Sequence, residues 1–116
     1  MSAMKLVIII LNREEYLDEL LEAFVELDVR GATVVDSVGM GQIISNKFPI
    51  FGGLRSLMEG ARPYNKTILT VVSEEKVELI TAEHQKICGS LDEPGTGLIF
   101  TVPVDFVKGL TGKSLS

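Results

Sequence analysis

The 116-residue chain carries a net charge of −5 and is 46% hydrophobic and 23% charged, which describes one ordinary globular domain and excludes disorder throughout. Because phosphate binding needs a basic patch, the acidic balance argues against nucleic acid as a partner. No stretch approaches the roughly 20 apolar residues of a membrane span, and Cys88 alone permits no internal disulfide, so we expect a cytoplasmic protein that does not itself span a membrane.

The first third of the chain predicts a strand, a helix and a second strand. The apolar run from Lys5 to Leu11 fits a strand buried on both faces. Asn12 and Glu15 match a capping box, and the apolar period that follows predicts an amphipathic helix ending near Asp28. Its apolar residues are Leu17, Leu20, Leu21, Phe24 and Leu27. Gly31 supplies the turn into the second strand, 32–38.

A glycine-rich segment from Gly39 to Asn65 follows, and it has the period of neither a core helix nor a core strand. Loops longer than about 12 to 15 residues inside compact domains are usually functional or disordered. The segment holds too many apolar residues for a passive linker, so we expect an arm that binds a protein partner. The predicted contacts are Phe48, Ile50, Phe51, Leu54, Arg55 and Met58. Alternatively, the arm forms a short helix that docks on its own assembly.

After the arm, the sequence predicts a strand, a helix and a strand again. Thr67 to Val72 is the third strand, and Ser73 is the expected N-cap of a helix that ends at Gly89. One face of that helix carries Val77, Ile80, His84, Ile87 and Cys88. Leu98 to Val104 is the fourth strand. The order predicts an α+β fold, the ferredoxin-like βαββαβ sandwich, with a four-stranded antiparallel sheet and both helices on one face.

The strands are apolar at nearly every residue, so the sheet face without helices must also be covered. Because a single core in so small a domain buries limited area, packing the open faces of several copies together would stabilise both fold and assembly. Self-association is therefore predicted, without a number of copies.

Several short motifs have two interpretations. Gly39-Met40-Gly41 is either a plain turn or a ligand contact, and Gly95-Thr96-Gly97 is either a tight loop or a cradle for an anion. His84 and Cys88 have the four-residue spacing of a metal pair, but no third ligand is evident, and packing in the core is the alternative. Since no nucleophile with its base emerges, we do not expect an enzyme.

Three stretches resemble the PII nitrogen-regulatory signal-transduction family: Met4 to Ile9, Val34 to Gly41, and Gly95 to Val104. The last is the most specific, because Gly-Thr-Gly-Leu-Ile-Phe-Thr-Val-Pro-Val resembles the family's Gly-Asp-Gly-Lys-Ile-Phe-Val-Phe-Pro-Val almost position by position. The resemblance implies a single PII-like domain over 1–116, with a T-loop-like arm over 39–65 and a B-loop-like turn over 89–97. It also implies a homotrimer whose sheets face inward.

In the family, clefts between subunits bind ATP or ADP, and 2-oxoglutarate joins through magnesium. The protein then controls a transporter, a metabolic enzyme or a regulator in nitrogen or carbon metabolism. The ligand-binding positions that we infer here are Gly39, Gly41, Gln42, Gly89, Glu93, Gly95, Thr96, Gly97 and Lys108.

This sequence departs from the family pattern at the phosphate site. Glu93 stands where the family has its phosphate-binding lysine, and the positions of two arginines fall near Gly109 and Thr111. Reversing a charge beside a triphosphate costs on the order of a few kcal/mol at an effective dielectric of about 20. ATP and ADP are thus implied by the family, but their phosphate-binding cations are not kept, and the effector stays unknown.

The arm also departs from the family pattern. The glutamine that helps to hold magnesium aligns with Ile43, beside Gln42, and the lysine for 2-oxoglutarate aligns near Asn65, beside Lys66. The tyrosine that is uridylylated in some members aligns at about Arg55. Two hypotheses remain. The first is a regulatory protein that senses an effector, and the second, which the loss of the phosphate-binding cations favours, is a structural or assembly module with an empty cleft and a docked arm.

Overall fold

The structure is a computed structural model that describes residues 3–40 and 64–110. Its elements are β1 (Met4–Leu11), α1 (Leu17–Glu26), β2 (Thr33–Val38), β3 (Tyr64–Ser73), α2 (Glu75–Cys88) and β4 (Gly97–Val104), with a 3-10 turn over Glu14–Tyr16 before α1. All six predicted elements are present. Within the described ranges, no helix is long and apolar enough to cross a membrane.

The four strands form one sheet in the order β2-β3-β1-β4, and every neighbouring pair is antiparallel. Both helices cover one face, so the chain has the predicted ferredoxin-like α+β sandwich. The central strand β1 supplies Val7, Ile9 and Leu11 to that face, and all three are fully buried. The helices contribute Leu20 and Ile80 opposite them. Burying each such side chain stabilises the fold by about 1.5–3 kcal/mol.

Two predicted helix caps are wrong. α1 begins at Leu17 after the 3-10 turn, so Asn12 is too far away to cap it. The Asn12 amide oxygen instead accepts a hydrogen bond from Asn65 Nδ2 at 3.3 Å. Ser73 is the last residue of β3, and Glu74 stands at the N-cap of α2. In both cases a long-range strand contact prevails over the local capping preference, which is worth only about 1 kcal/mol.

The turn after α1 is also made differently from the prediction. Asp28, not Gly31, has the left-handed conformation, with φ 63°. The backbone N–H of Val29 donates to the carbonyl of Phe24 at 2.8 Å, and that of Asp28 donates to the carbonyl of Val25 at 3.0 Å. This pair of hydrogen bonds is a Schellman motif, a common way to satisfy the last carbonyls of a helix.

The sheet face away from the helices, which we call the open face, is apolar. The strand register places Leu98, Phe100 and Val102 of β4 on this face beside Ile8 of β1. Val35 of β2 lies on the same face. Leu98 is 54% exposed, and Phe100, Val102 and Val35 are 43–44% exposed. The described part of the chain therefore leaves a broad apolar surface uncovered, as the strand composition predicted.

Candidate functional site

The strand pairing brings four chain segments to one end of the sheet. Leu11, near the end of β1, pairs with Lys66 on one side and with Gly97 on the other. Ser37, near the end of β2, pairs with Asn65. We call this the arm end, because the arm leaves the sheet here after β2 and rejoins it at β3. The glycine loop, residues 89–96, enters β4 at the same end.

A polar network on the open face at the arm end joins β2 and β3 to Asn12, the residue that follows β1. Asn65 is only 7% exposed, and its amide nitrogen donates to Asn12. The Ser37 hydroxyl donates to the Asn65 amide oxygen and lies 2.8 Å from the Thr67 hydroxyl. Buried polar groups that are fully hydrogen-bonded give a segment a defined geometry, so this network fixes the base of the arm. This network was not predicted from the sequence. The signal that could have revealed it is the polar pair Asn65 and Thr67, which lie two residues apart in β3 and therefore on the same face of the sheet.

An ion pair lies on the helix-covered face next to that network. The Lys66 ammonium contacts Asp36, its cross-strand partner. The hydrogen bond with Asp36 raises the pKa of Lys66, and the charges of Asp36 and Glu14 act in the same direction against partial desolvation. The positive charge of Lys66 is therefore matched by the carboxylate of Asp36 within the sheet.

The glycine loop is held to α2 and shaped by its glycines. The backbone N–H of Leu91 donates to the Gln85 side chain at 3.0 Å, which ties the loop to the last turn of α2. Gly89 and Gly95 have φ values of 97° and 83°, and Gly97 has 134°. Only glycine adopts these conformations without strain, so the loop needs glycine at all three positions.

Thr96 and Glu93 lie in this loop in contrasting environments. Thr96 is fully buried, and its hydroxyl has no hydrogen-bond partner among residues 3–40 and 64–110. Glu93 is exposed, and its carbonyl accepts a hydrogen bond from the Thr96 N–H at 3.4 Å. A backbone with glycine on both sides of Thr96 can approach an anion closely, but the exposed carboxylate at residue 93 repels one.

One chain gathers only part of the predicted ligand positions. Gly89, Glu93, Gly95, Thr96 and Gly97 belong to the loop or to its junction with β4. Gly39 follows β2 at the arm end, but on the opposite sheet edge, three strand spacings or about 14 Å away.

The remaining predicted positions lie elsewhere. Lys108 follows β4 at the far end of the sheet, and an eight-residue strand spans roughly 23 Å. Gly41, Gln42 and the six predicted partner contacts of the arm lie outside the described residues.

His84 and Cys88 lie side by side on the buried face of α2. Burial raises the pKa of Cys88 to about 11, and the charge of Glu19 adds to the rise. The thiol therefore stays protonated at neutral pH, which disfavours a nucleophile or a metal ligand. No group of three or more metal-binding side chains occurs among the residues that the structure describes. These observations favour packing in the core for both residues.

The sheet order, the helix layer on one face and the glycine loop before an edge strand define an α+β protein of the ferredoxin-like class. The family model for nitrogen regulatory protein P-II matches residues 4–113, so the chain belongs to the P-II family. No curated protein matches the chain in sequence.

Three solved structures illustrate the likeness in fold. A functionally unknown protein from Pediococcus pentosaceus is similar with a TM-score of 0.64 and 21% identity, over 95% of this chain and 100% of that chain. Arabidopsis thaliana PII bound to citrate has a TM-score of 0.62 and 23% identity, over 89% of this chain and 78% of that chain. The GlnK-ATP complex of B. subtilis has a TM-score of 0.61 and 18% identity, over 90% of this chain and 86% of that chain. At these identities the likeness shows the fold.

Proposed function

We propose that the chain is a PII-type regulatory protein that senses a small effector and controls a partner protein through its arm. Membership of the P-II family supports a signalling role and not an enzymatic one. In this proposal residues 1–116 form one cytoplasmic domain, and the regulated partner is a transporter or an enzyme of nitrogen or carbon metabolism.

The observation that carries the proposal is the uncovered apolar open face. Leu98, Phe100 and Val102 line it with side chains that are 43–54% exposed in a single chain. Apolar area of this kind is stabilising only when it is removed from water. We propose that three copies pack these faces together, as the family resemblance implies, and that the clefts between copies hold the effector.

The assembly is tested by light scattering on the purified chain. The expected mass is three times that of the chain, and Phe100→Glu should produce monomers because it places a charge on the open face. Val25→Glu is the matched control, since Val25 is 74% exposed on α1, away from that face. A monomeric wild type, or equal dissociation of both variants, would contradict the proposal.

A site between copies would explain why the predicted ligand positions lie far apart within one chain. In an assembly, Gly39 and Lys108 of a neighbouring copy could approach the glycine loop, although both lie far from it within one chain. The effector is then a small anion or a nucleotide. Relatives in the fold include a PII bound to citrate and a GlnK-ATP complex, which gives two chemistries to test first.

Calorimetry is the direct test of sensing. The panel is ATP, ADP, AMP, a cyclic dinucleotide, citrate and bicarbonate, each titrated into the assembled wild-type chain. Saturable binding of one of them, lost when Gly95→Val fills the loop, supports sensing. If none binds, the sensing half of the proposal is wrong, even where light scattering shows the trimer.

The replacement of the phosphate lysine by Glu93 favours a second candidate, a non-sensing assembly module with a docked arm. Hydrogen exchange separates the two candidates. A sensor should show altered protection over residues 39–65 when its effector is added, because the effector changes the state of the arm. A module should show the same protection with and without every compound in the panel.

The arm carries the output in this proposal. Its apolar residues Phe48, Phe51 and Leu54 would provide the contact area for the partner, as apolar and aromatic anchors commonly do in interfaces. Replacing these three residues with serine should abolish co-purification of the regulated protein from the source cells while the mass of the assembly is unchanged. Loss of the assembly instead would assign them to self-association.

A further inference from the structure

His84 occupies an unusual place for a titratable group. It is 0% exposed on the core-facing side of α2, between Ile80 and Cys88, which are also buried. Neither ring nitrogen has a hydrogen-bond partner in the described ranges. A neutral imidazole tolerates such surroundings at a cost, whereas an imidazolium must regain water or a partner.

The charged groups around that part of the core offer the ring little compensation. Along the segment that faces the end of α2, Glu19, Glu15 and Arg13 act on Cys88, one turn beyond His84. The helix-covered face of the sheet carries Lys5 at one end and Lys66, paired with Asp36, at the other. Burial alone lowers the pKa of His84.

The position of His84 along the helix connects it to the glycine loop. It lies one turn before α2 ends at Cys88, and the next residue, Gln85, accepts a hydrogen bond from the backbone of Leu91. If the ring leaves the core, the last turn of α2 moves and takes the loop with it. The loop leads into Thr96 and Gly97 at the arm end of the sheet.

We propose that His84 is a proton-sensitive latch: the neutral ring holds the last turn of α2 and the glycine loop against the sheet, and taking up a proton releases this segment, residues 84–96. The latch acts on the loop that carries the predicted ligand positions. It does not depend on which effector binds there, or on whether one binds.

The direction of the pH dependence follows from the lowered pKa. A histidine in an open segment titrates near 6.5, and in the closed state it holds its proton less tightly. The closed state is thus fully favoured above that pH and loses stability as the pH falls below it, until the closed-state pKa is reached. Between pH 7.5 and 5.5 the opening equilibrium should rise, and the limit set by an open-state pKa near 6.5 is about tenfold.

Two measurements on the full chain test the latch. Because the chain contains one histidine, a single imidazole proton resonance reports its titration without assignment ambiguity. We expect a midpoint below 6.5. Amide hydrogen exchange, corrected for the intrinsic pH dependence, should show a loss of protection over residues 84–96 between pH 7.5 and 5.5, up to about tenfold, with β1 and β3 as the internal reference.

The matched variant is His84→Leu, which fills the same space without a titratable group, and His84→Gln serves if the leucine variant does not fold. In either variant the extra exchange at pH 5.5 should disappear. A midpoint at or above 6.5 overturns the proposal. So does an equal loss of protection in β1 and β3, which would indicate general acid unfolding, and so does an unchanged pH effect in the variants.

Discussion

Gly97 lies directly against the backbone carbonyl of Ile10, so closely that a Cβ on residue 97 would overlap the oxygen. The contact joins the first residue of β4 to the central strand, where Gly97 pairs with Leu11. With a φ of 134°, the residue also has a conformation that other amino acids rarely adopt. Glycine is therefore a structural requirement here, whatever the loop binds.

Gly97→Ala should destabilise the fold by at least about 2 kcal/mol, because backbone strain and steric overlap add together. Gly31→Ala is the matched control, since nothing lies within 4 Å of the added Cβ there. Its effect should be within about 0.5 kcal/mol. Urea unfolding followed by circular dichroism measures both. A Gly97→Ala variant as stable as the control would show that β4 can move away from the Ile10 carbonyl without a loss of free energy of unfolding.

Two buried threonines, Thr70 in β3 and Thr96 in the glycine loop, differ in whether the hydroxyl has a partner. Thr70 donates to the Gly31 carbonyl at 2.5 Å, whereas the Thr96 hydroxyl has no partner in the described part of the chain. Thr70→Val should therefore cost about 1–2 kcal/mol, while Thr96→Val should be neutral or stabilise by up to about 1 kcal/mol. The difference in unfolding free energy between the two variants is the readout. A destabilised Thr96→Val variant would mean that the hydroxyl is partnered in the assembled protein.

The left-handed turn after α1 provides a test of backbone conformation. Asp28→Gly should stabilise the fold by about 0.5 kcal/mol, because glycine adopts a positive φ without steric cost. The ion pair with Arg30, at 3.1 Å and with both side chains more than half exposed, contributes little. Asp28→Asn is the control: it removes the charge, keeps the tolerance for this conformation, and should leave the unfolding midpoint unchanged. A clear loss of stability in the asparagine variant would mean that the ion pair with Arg30, and not the backbone conformation, stabilises the turn.

The sequence was sufficient for the order of elements and for most of the core. A continuous apolar run located β1, and apolar spacing located the buried face of α2, including Ile80, His84 and Cys88, because helical residues three and four apart lie on the same face. The order of elements predicted the antiparallel sheet with both helices on one face. The family resemblance is confirmed over residues 4–113.

Predictions from local sequence patterns were less accurate where a residue of a distant strand binds the same side chain. Asn12 fits a helix cap in the sequence, yet in the fold its oxygen is used by Asn65, 53 residues away. Asp28 was passed over for Gly31 because glycine is the usual residue at positive φ, and no pattern reveals which residue the chain places there. The separation of Gly39 from the glycine loop follows from the predicted fold, which places β2 and β4 on opposite edges of the sheet, but the list of ligand positions did not take it into account.

Glu93→Lys tests whether residue 93 lies at a phosphate site, as the family resemblance implies. If the glycine loop still faces an effector cleft, restoring a cation there should tighten ATP binding by about tenfold or more, because an opposite charge replaces a like charge beside the phosphates. Glu22→Lys makes the same change of net charge on the exposed side of α1 and should leave ATP affinity unchanged. Calorimetry at low and at physiological salt compares the two variants. An equal gain in both would reflect net charge alone, and no gain in Glu93→Lys would indicate that residue 93 does not face the phosphates, so that the site has been lost through more than one substitution.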